Sequence, residues 1–312
     1  MFQQRAARFA GRIFTGALAC AVFVIGGVGC ERAPASGAAP GGSAAPSKAS
    51  PTIVSLVPAA TDLILGMGAG DHLVAVSNWD ADRPEIAGLP RVGDYRTIDW
   101  ERIGALRPGV MIVQYREDKM PTGLRQRAAS LGVKLVNVKN NRLDDVFTTM
   151  RTIGEAIGES SKASEAESKL RAELDAVRSR VSGKPRVRTL VARTHTGVDV
   201  VGGGNFMDDL LTLAGGENVL AAGENSYPTI DRERIVTLNP DVVLQVMPGA
   251  APQEIEQARQ FWASLPQVSA VRNGRVYELT DSYLLLPGYS AARIADLFAR
   301  KLHPDIPPRT GP

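Results

Sequence analysis

Apolar residues fall along this chain in short compact runs separated by longer amphipathic stretches. Residues 53–57 (IVSLV) make a run that suits a buried strand. Pro58 opens a short helical stretch over residues 61–68, and Gly66, Gly68 and Gly70 close it. Runs at 72–77, 110–113 and 133–138 predict further strands, with a helix at 122–131 between the last two. Residues 142–181 break the pattern. They are helical in composition, softly interrupted near Gly158, with Ala163, Ala166, Leu170, Leu174, Val177 and Val181 on one narrow stripe. Past Gly183 and Pro185 the short runs resume, as strands at 187–192, 198–201, 242–246 and 275–279 and helices at 206–214, 252–265 and 290–302. Strands alternating with helices at this spacing predict an α/β protein with mainly parallel sheets. Two lobes follow, residues 52–141 and 184–303, joined by a long helical strut over 142–183, with a proline-rich tail at 304–312.

The lobes are marked by a repeat. Residues 95–110 read YRTIDWERIGALRPGV and residues 227–242 read YPTIDRERIVTLNPDV, with 10 identities in 16 aligned positions. Two copies so far apart do not make a solenoid. They mark one structural place in two similar lobes. Asp99 and Asp231 are set as helix N-caps, and Glu101 and Glu233 fall in the first turn, where a carboxylate suits the helix dipole. Ile103 with Leu106, and Ile235 with Leu238, point inward, and Pro108 and Pro240 stop the helices. On spacing alone the two glutamates are dipole partners on a solvated face.

The ends are of a different kind. Arg5, Arg8 and Arg12 precede an uncharged apolar stretch over residues 13–29, so residues 1–30 read as an export signal. Both cysteines, Cys20 and Cys30, lie in it, and the remaining chain is expected to use neither disulfide nor thiolate chemistry. Residues 31–51 are rich in Ala, Gly, Pro and Ser and read as a flexible tether. Removing the leader takes three arginines and no acid, which leaves 33 basic side chains (36 less three) against 33 acidic ones. That balance gives no argument for nucleic acid. The three histidines, His72, His195 and His303, fall in distant stretches and give no sign of a three-histidine cluster for a free metal ion. Walker A, G-x-S-x-G and H-E-x-x-H motifs are absent, and Gly202, Gly203 and Gly204 form no dinucleotide fingerprint but a tight loop before a helix.

Several stretches, in order, resemble one family. They are IVSLVPAATD (53–62), SNWD (77–80), RVGDY (91–95) ahead of the E-R-I-x-x-L-x-P motif, VVGGGNFMDDLL (200–211), LAGGENV (213–219) and DSYLLLPG (281–288). Together they cover nearly all of residues 52–303 and resemble the substrate-binding proteins of ABC importers for cobalamin, ferric siderophores and haem, the cobalamin-binding subfamily above all. The resemblance implies the class III periplasmic-binding-protein fold, two Rossmann-like lobes joined by a single long α-helix with a shallow cleft between them. It implies a monomeric, non-enzymatic receptor with no cofactor of its own, whose ligand is itself a metal chelate, cobalamin or a corrinoid first. It further implies a permease dimer with its ATPase as partner, and export to a periplasmic or cell-surface location. Cys30, after Gly27-Val28-Gly29, resembles a lipidated lipoprotein cysteine. Gly27 departs from the usual leucine there, and Cys20 is a rival site.

Residue by residue, the resemblance implies ligand-facing roles for Pro58, Trp79, Tyr95, Tyr227, Asp281 and Tyr283, and permease docking for Glu101 and Glu233. Flat aromatics suit a macrocycle, since they give large apolar contact at small entropic cost. The alternative for each is core or rim packing. His195 follows a strand end, where α/β ligand sites form. It is a candidate for cleft lining or, as a neutral imidazole, for axial ligation of haem iron or cobalt. Arg193 beside it could pair with a ligand carboxylate. Trp100, whose counterpart is Arg232, reads as surface, and Trp262 as helix packing. Two rival readings share the fold, an exported enzyme acting on a tetrapyrrole, with His195 and Asp281 as the one available pair, and a chelate sensor with a non-transport partner.

Overall fold

The protein is described here by a computed structural model covering residues 51–193, 198–223 and 226–307. Residues 1–50, with the predicted leader, tether, Cys20 and Cys30, lie outside these, as do His195 and residues 308–312.

The first lobe runs β1 (Ile53–Ser55), α1 (Pro58–Gly66), β2 (Leu73–Ala75), α2 (Trp100–Leu106), β3 (Val110–Val113), α3 (Leu124–Ser130) and β4 (Lys134–Asn137). Its four strands are all parallel, in the order β2-β1-β3-β4. Two helices follow, α4 (Leu143–Ile157) and α5 (Ser160–Arg180). The second lobe runs β5 (Val187–Ala192), α6 (Phe206–Leu213), β6 (Gly216–Asn218), α7 (Arg232–Leu238), β7 (Val242–Val246), α8 (Pro252–Ala263), α9 (Ser269–Arg272), β8 (Val276–Leu279) and α10 (Ala291–Leu302). Its sheet is also parallel, ordered β6-β5-β7-β8. The two orders are the same when the strands are counted within each lobe. The repeat therefore occupies one place twice, as α2 leading into β3 and α7 leading into β7.

The likeness extends to the caps. Asp99 accepts the Arg102 N–H at 3.0 Å and Asp231 the Arg234 N–H at 2.7 Å. Arg107 (φ 48°) and Asn239 (φ 42°) end the helices in the left-handed conformation, and they are the two non-glycine residues with positive φ among those described. Each precedes a proline, which disfavours a further helical residue.

Three expectations are corrected. Residues 198–201 are not a sheet strand. They cross the carboxyl end of β5 as isolated antiparallel bridges, Ala192 to Val200 and Asp199 to Thr229. The edge strand is instead β6, whose sequence Gly-Glu-Asn carries no apolar signal. The soft break at Gly158 is a full turn. Gly158 adopts φ 79° and ends α4, after which α5 folds back along it. Arg151 meets Glu167 at 2.7 Å and the Arg171 guanidinium lies 3.7 Å from the Phe147 ring centroid, a pairing that fits antiparallel helices. The long bridging helix is thus α5 alone, 21 residues or about 30 Å at 1.5 Å per residue, with its predicted stripe buried. Lastly, residues 303–307 are docked and not a free tail. His303 and Ile306 are buried, and Arg180 donates to the Pro307 carbonyl at 2.9 Å.

Each sheet is covered on both faces, so the central strands β1, β3 and β7 are buried along their length. The outer faces pack on α2 and α3 in one lobe and on α7, α8 and α9 in the other. Trp262 belongs to the second of these layers and donates its indole N–H to Gln245 at 2.9 Å, as its predicted packing role requires. The inner faces share one continuous core through α1, α4, α5, α6 and α10. A buried polar joint adds to it. The Asp62 carboxylate of α1 accepts the Ser290 N–H at 3.0 Å and an Arg83 N–H at 2.8 Å.

Candidate functional site

Parallel sheets in this arrangement offer ligands the carboxyl ends of their strands. The predicted site residues lie there. Pro58 follows β1, Trp79 follows β2, and the turn holding Asp281 and Tyr283 follows β8, while Tyr115, which was not predicted, follows β3. Tyr227 lies on the segment that bridges residues 198–202 past the end of β5, where the Val200 N–H donates to the Pro228 carbonyl at 3.0 Å.

Exposure separates these aromatics from the rest of the chain. Trp79 is 66% exposed, Tyr95 51% and Tyr227 42%, and among the described residues Leu131 is the one other large apolar side chain so exposed. Isolated apolar residues on a surface are ordinary. Three aromatic rings so exposed, on the carboxyl edges of two sheets, are the candidates for a contact surface.

Trp79 is held at two points. Its indole N–H donates to Asp94 Oδ2 at 2.9 Å, and its backbone N–H to the Ser77 hydroxyl at 3.2 Å. Asp94 is itself fixed by the Thr97 and Arg96 backbone N–H groups, at 2.9 and 2.7 Å. Those two bonds, then the Trp79 indole and the Arg96 charge, hold its carboxyl below the usual aspartate value. The turn needs Gly93, whose φ is +109° and on which a Cβ would stand 2.0 Å from the Thr97 carbonyl oxygen. Beneath Trp79, the buried Asp80 carboxylate accepts the Ser77 N–H at 2.8 Å and the Thr61 hydroxyl at 3.3 Å. Burial pushes Asp80 up to about 6, against the pull of the Ser77 and Thr61 bonds and of Arg91 and Arg83.

Tyr95 and Pro58 meet in a cavity of about 270 Å³, walled also by Leu56, Val57, Val113, Gln114 and Tyr115. Tyr115 fixes it. Its hydroxyl donates to the Tyr95 carbonyl at 2.7 Å, and its backbone is clamped by the Asn137 side chain at 2.8 and 2.9 Å. Burial, then the Asp94 charge, raises its hydroxyl pKa. Sequence reasoning missed Tyr115, although its place just past the 110–113 run was a usable signal. Asp94 and Asn137 gave none, because their roles depend on turns that bring distant residues together.

In the second lobe both candidate tyrosines, Tyr227 and Tyr283, lie under an arginine. The Arg193 guanidinium is 4.7 Å from the Tyr227 ring centroid, and that of Arg293, on α10, is 4.2 Å from Tyr283. Arg193 Nε is buried without a hydrogen-bond partner among the described residues. Burial raises the pKa of both tyrosine hydroxyls. Asp281 is exposed, on the same turn as Tyr283. The structure therefore groups Pro58 with Tyr95, Trp79 with Asp94, Tyr227 with Arg193, and Tyr283 with Asp281 and Arg293. His195 falls outside the described residues. Among those described, no group of three His, Cys, Asp or Glu is placed to hold a metal ion.

Glu101 and Glu233 are exposed in the first turns of α2 and α7, and neither makes an ion pair within the described residues. Their neighbours differ. Trp100 precedes Glu101 and lies under Arg127 at 4.8 Å, whereas Arg232 precedes Glu233 and lies over Phe261 at 4.8 Å. Aromatic and cation have exchanged places between the lobes.

The profile of the periplasmic binding protein family matches residues 53–283. The vitamin B12-binding protein of Yersinia pseudotuberculosis (strain YPIII) is 30% identical over 224 residues, 72% of this chain and 77% of that protein. Among solved structures, the periplasmic vitamin B12 binding protein of Vibrio cholerae has a TM-score of 0.68 at 23% identity, covering 81% of this chain and 96% of its own. The periplasmic heme-binding protein of Roseiflexus sp. RS-1 has a TM-score of 0.67 at 24% identity, covering 81% and 100%. These two likenesses concern the fold, and with the family match they fix it as two α/β lobes with parallel sheets. On the strength of that match the chain is a member of the periplasmic binding protein family.

Proposed function

We propose that the chain is the substrate-binding component of an ABC importer, capturing a metal chelate of the corrinoid type, cobalamin first, and presenting it to a permease. The observation that carries this reading is the exposure of Trp79, Tyr95 and Tyr227 on the carboxyl edges of the two sheets. Rings held open to solvent offer apolar area to a broad, rigid ligand with little ordering cost. Arginines over Tyr227 and Tyr283 supply polar rims for the amide or carboxylate periphery of such a ligand. The relative named for vitamin B12 binding supports cobalamin over other chelates.

Haem is the second reading, favoured by Arg193 Nε, which has no hydrogen-bond partner among the described residues and is suited to a ligand carboxylate. His195 is the proposed axial residue in that case. Glu101 and Glu233 are proposed to dock onto basic pockets of the permease dimer, where such pairs set register and on-rate. Cys30 is proposed to carry a lipid that tethers the body to a membrane. The reading is of a receptor and not an enzyme, acting as a monomer.

Titration of the purified body with cyanocobalamin, haemin and a ferric siderophore, read by tryptophan quenching and absorbance, tests the reading. Saturable binding of cyanocobalamin supports it. A shifted haem Soret band lost in His195→Ala would move the assignment to haem. Binding of none of the three would overturn it.

A further inference from the structure

Trp79 presents a problem that its exposure alone does not solve. A ring 66% open to solvent has little packing to orient it, yet a contact surface for a rigid ligand works best when its rings are already in place. Two carboxylates meet the need from opposite sides. Asp94 holds the indole edge from the surface, through the 2.9 Å bond to Nε1. Asp80 holds the backbone from beneath, within a buried polar cluster that the outward reading of Trp79 does not use.

That cluster is assembled from three elements. The Thr61 hydroxyl of α1 lies 2.9 Å from the Ser55 hydroxyl of β1 and 3.3 Å from Asp80 Oδ2, and its one hydrogen serves one of them at a time. The same Asp80 oxygen takes the Ser77 N–H from the end of β2. Arg91 straps the turn, its Nη1 donating to the carbonyls of Ser77 and Asp80 at 2.8 and 2.7 Å while its Nη2 meets Asp82 at 2.8 Å. The backbone closes on itself with the Asp80 N–H donating to the Ser77 carbonyl at 3.2 Å. Residues 77–80 thus form a turn whose interior is the Asp80 carboxyl and whose outermost side chain is Trp79.

We infer that Asp80 is a positioning residue for ligand capture, its buried carboxyl setting the turn that presents Trp79 to the ligand while Asp94 fixes the ring's edge. The inference rests on the proposed ligand-facing role of Trp79 and adds to it a second pair of residues and a dependence on pH. An ionised Asp80 accepts both the Ser77 N–H and the Thr61 O–H. Both bonds fall on Oδ2, so a protonated Asp80 still accepts them, but as a neutral and weaker acceptor, and Thr61 then has Ser55 and the Val57 carbonyl as competing partners. The charged groups that face Asp80 are Arg91 and Arg83, the latter paired with Asp62 on α1, the former with Asp82. Burial brings the Asp80 carboxyl up to about 6, within the range in which its ionisation changes near neutral pH. If ligand binding favours the ordered turn, it favours ionised Asp80, and each unit by which binding lowers that pKa makes capture about tenfold tighter above the transition than below it.

The test uses the purified chain, cyanocobalamin as probe, and Asp80→Asn, Asp94→Asn and Trp79→Phe variants. In the unliganded protein, the tryptophan emission lost on Trp79→Phe should change with an inflection near pH 6, and Asp80→Asn should remove the inflection. Cyanocobalamin affinity should rise about tenfold between about pH 5 and pH 7, be level in Asp80→Asn, and keep its slope in Asp94→Asn while falling at every pH. An Asp80→Asn protein that keeps both wild-type profiles overturns the inference, as does a wild-type profile that is level in both. Failure to bind cyanocobalamin would sink the ligand assignment instead and leave the emission profile to decide the role of Asp80.

Discussion

Burial holds the Asp80 carboxyl at about 6, above its ordinary 3.8, and this fixes the sign of its effect on stability. The folded protein keeps the proton over a range in which the unfolded chain has lost it. The contribution is therefore full below about pH 4, declines as pH rises to about 6, and stays lower by about 3 kcal/mol beyond. Asp80→Asn is expected to flatten this part of the pH profile, as thermal midpoints at about pH 5 and pH 7.5 would show. Tyr115→Phe keeps the cavity wall and removes the bond to the Tyr95 carbonyl. We expect a stability loss of about 1 kcal/mol in urea titration, with weaker ligand binding. At this scale the sequence was partly legible. The exposed aromatics could be named from motif positions, and Asp99 and Asp231 from their place before an apolar run. Asp94, Asn137 and Arg293 could not, because each matters through a partner at least 10 residues away in sequence.

At the level of elements, the apolar runs showed all the strands but one. β6 escaped because an edge strand of Gly, Glu and Asn has no periodicity to read. Residues 198–201 were mistaken for a strand because they are as apolar as one, and are buried across the end of β5. The Gly158 turn was visible as a weak point, but its sharpness follows from the contacts of α4 with α5 and not from local composition. The helix ends of the repeat give a paired test. Both Arg107 and Asn239 are left-handed, a conformation that suits glycine better. Arg107→Gly should stabilise by about 0.5–1 kcal/mol. Asn239→Gly gains the same relief but loses the 2.7 Å bond from the Ser269 N–H to Asn239 Oδ1, so its net effect should be near zero or destabilising. Denaturant midpoints of the two variants decide this, and equal gains at both positions would contradict the account.

Across the whole molecule, the predicted two lobes and helical bridge stand, but the lobes do not have separate interiors. One core runs from the inner face of the first sheet through α1, α4, α5, α6 and α10 to the inner face of the second. Calorimetry of residues 51–312 should accordingly show one cooperative transition and not two. The shared core is expected to limit movement of one lobe against the other. Ligand capture and docking then become separable. Charge reversal at Glu101 and Glu233 together is expected to leave ligand affinity unchanged and to abolish uptake in cells that depend on this chain, and unimpaired uptake would remove the docking assignment. The central claim is that exposed aromatic rings on two carboxyl edges form a receptor site for a corrinoid, and titration of Trp79→Ala beside the unaltered chain with cyanocobalamin tests it most directly. The account predicts saturable quenching in the unaltered chain and an affinity at least tenfold weaker, about 1.4 kcal/mol, in the variant. Equal affinity in the two proteins, or no saturable binding in either, would contradict it.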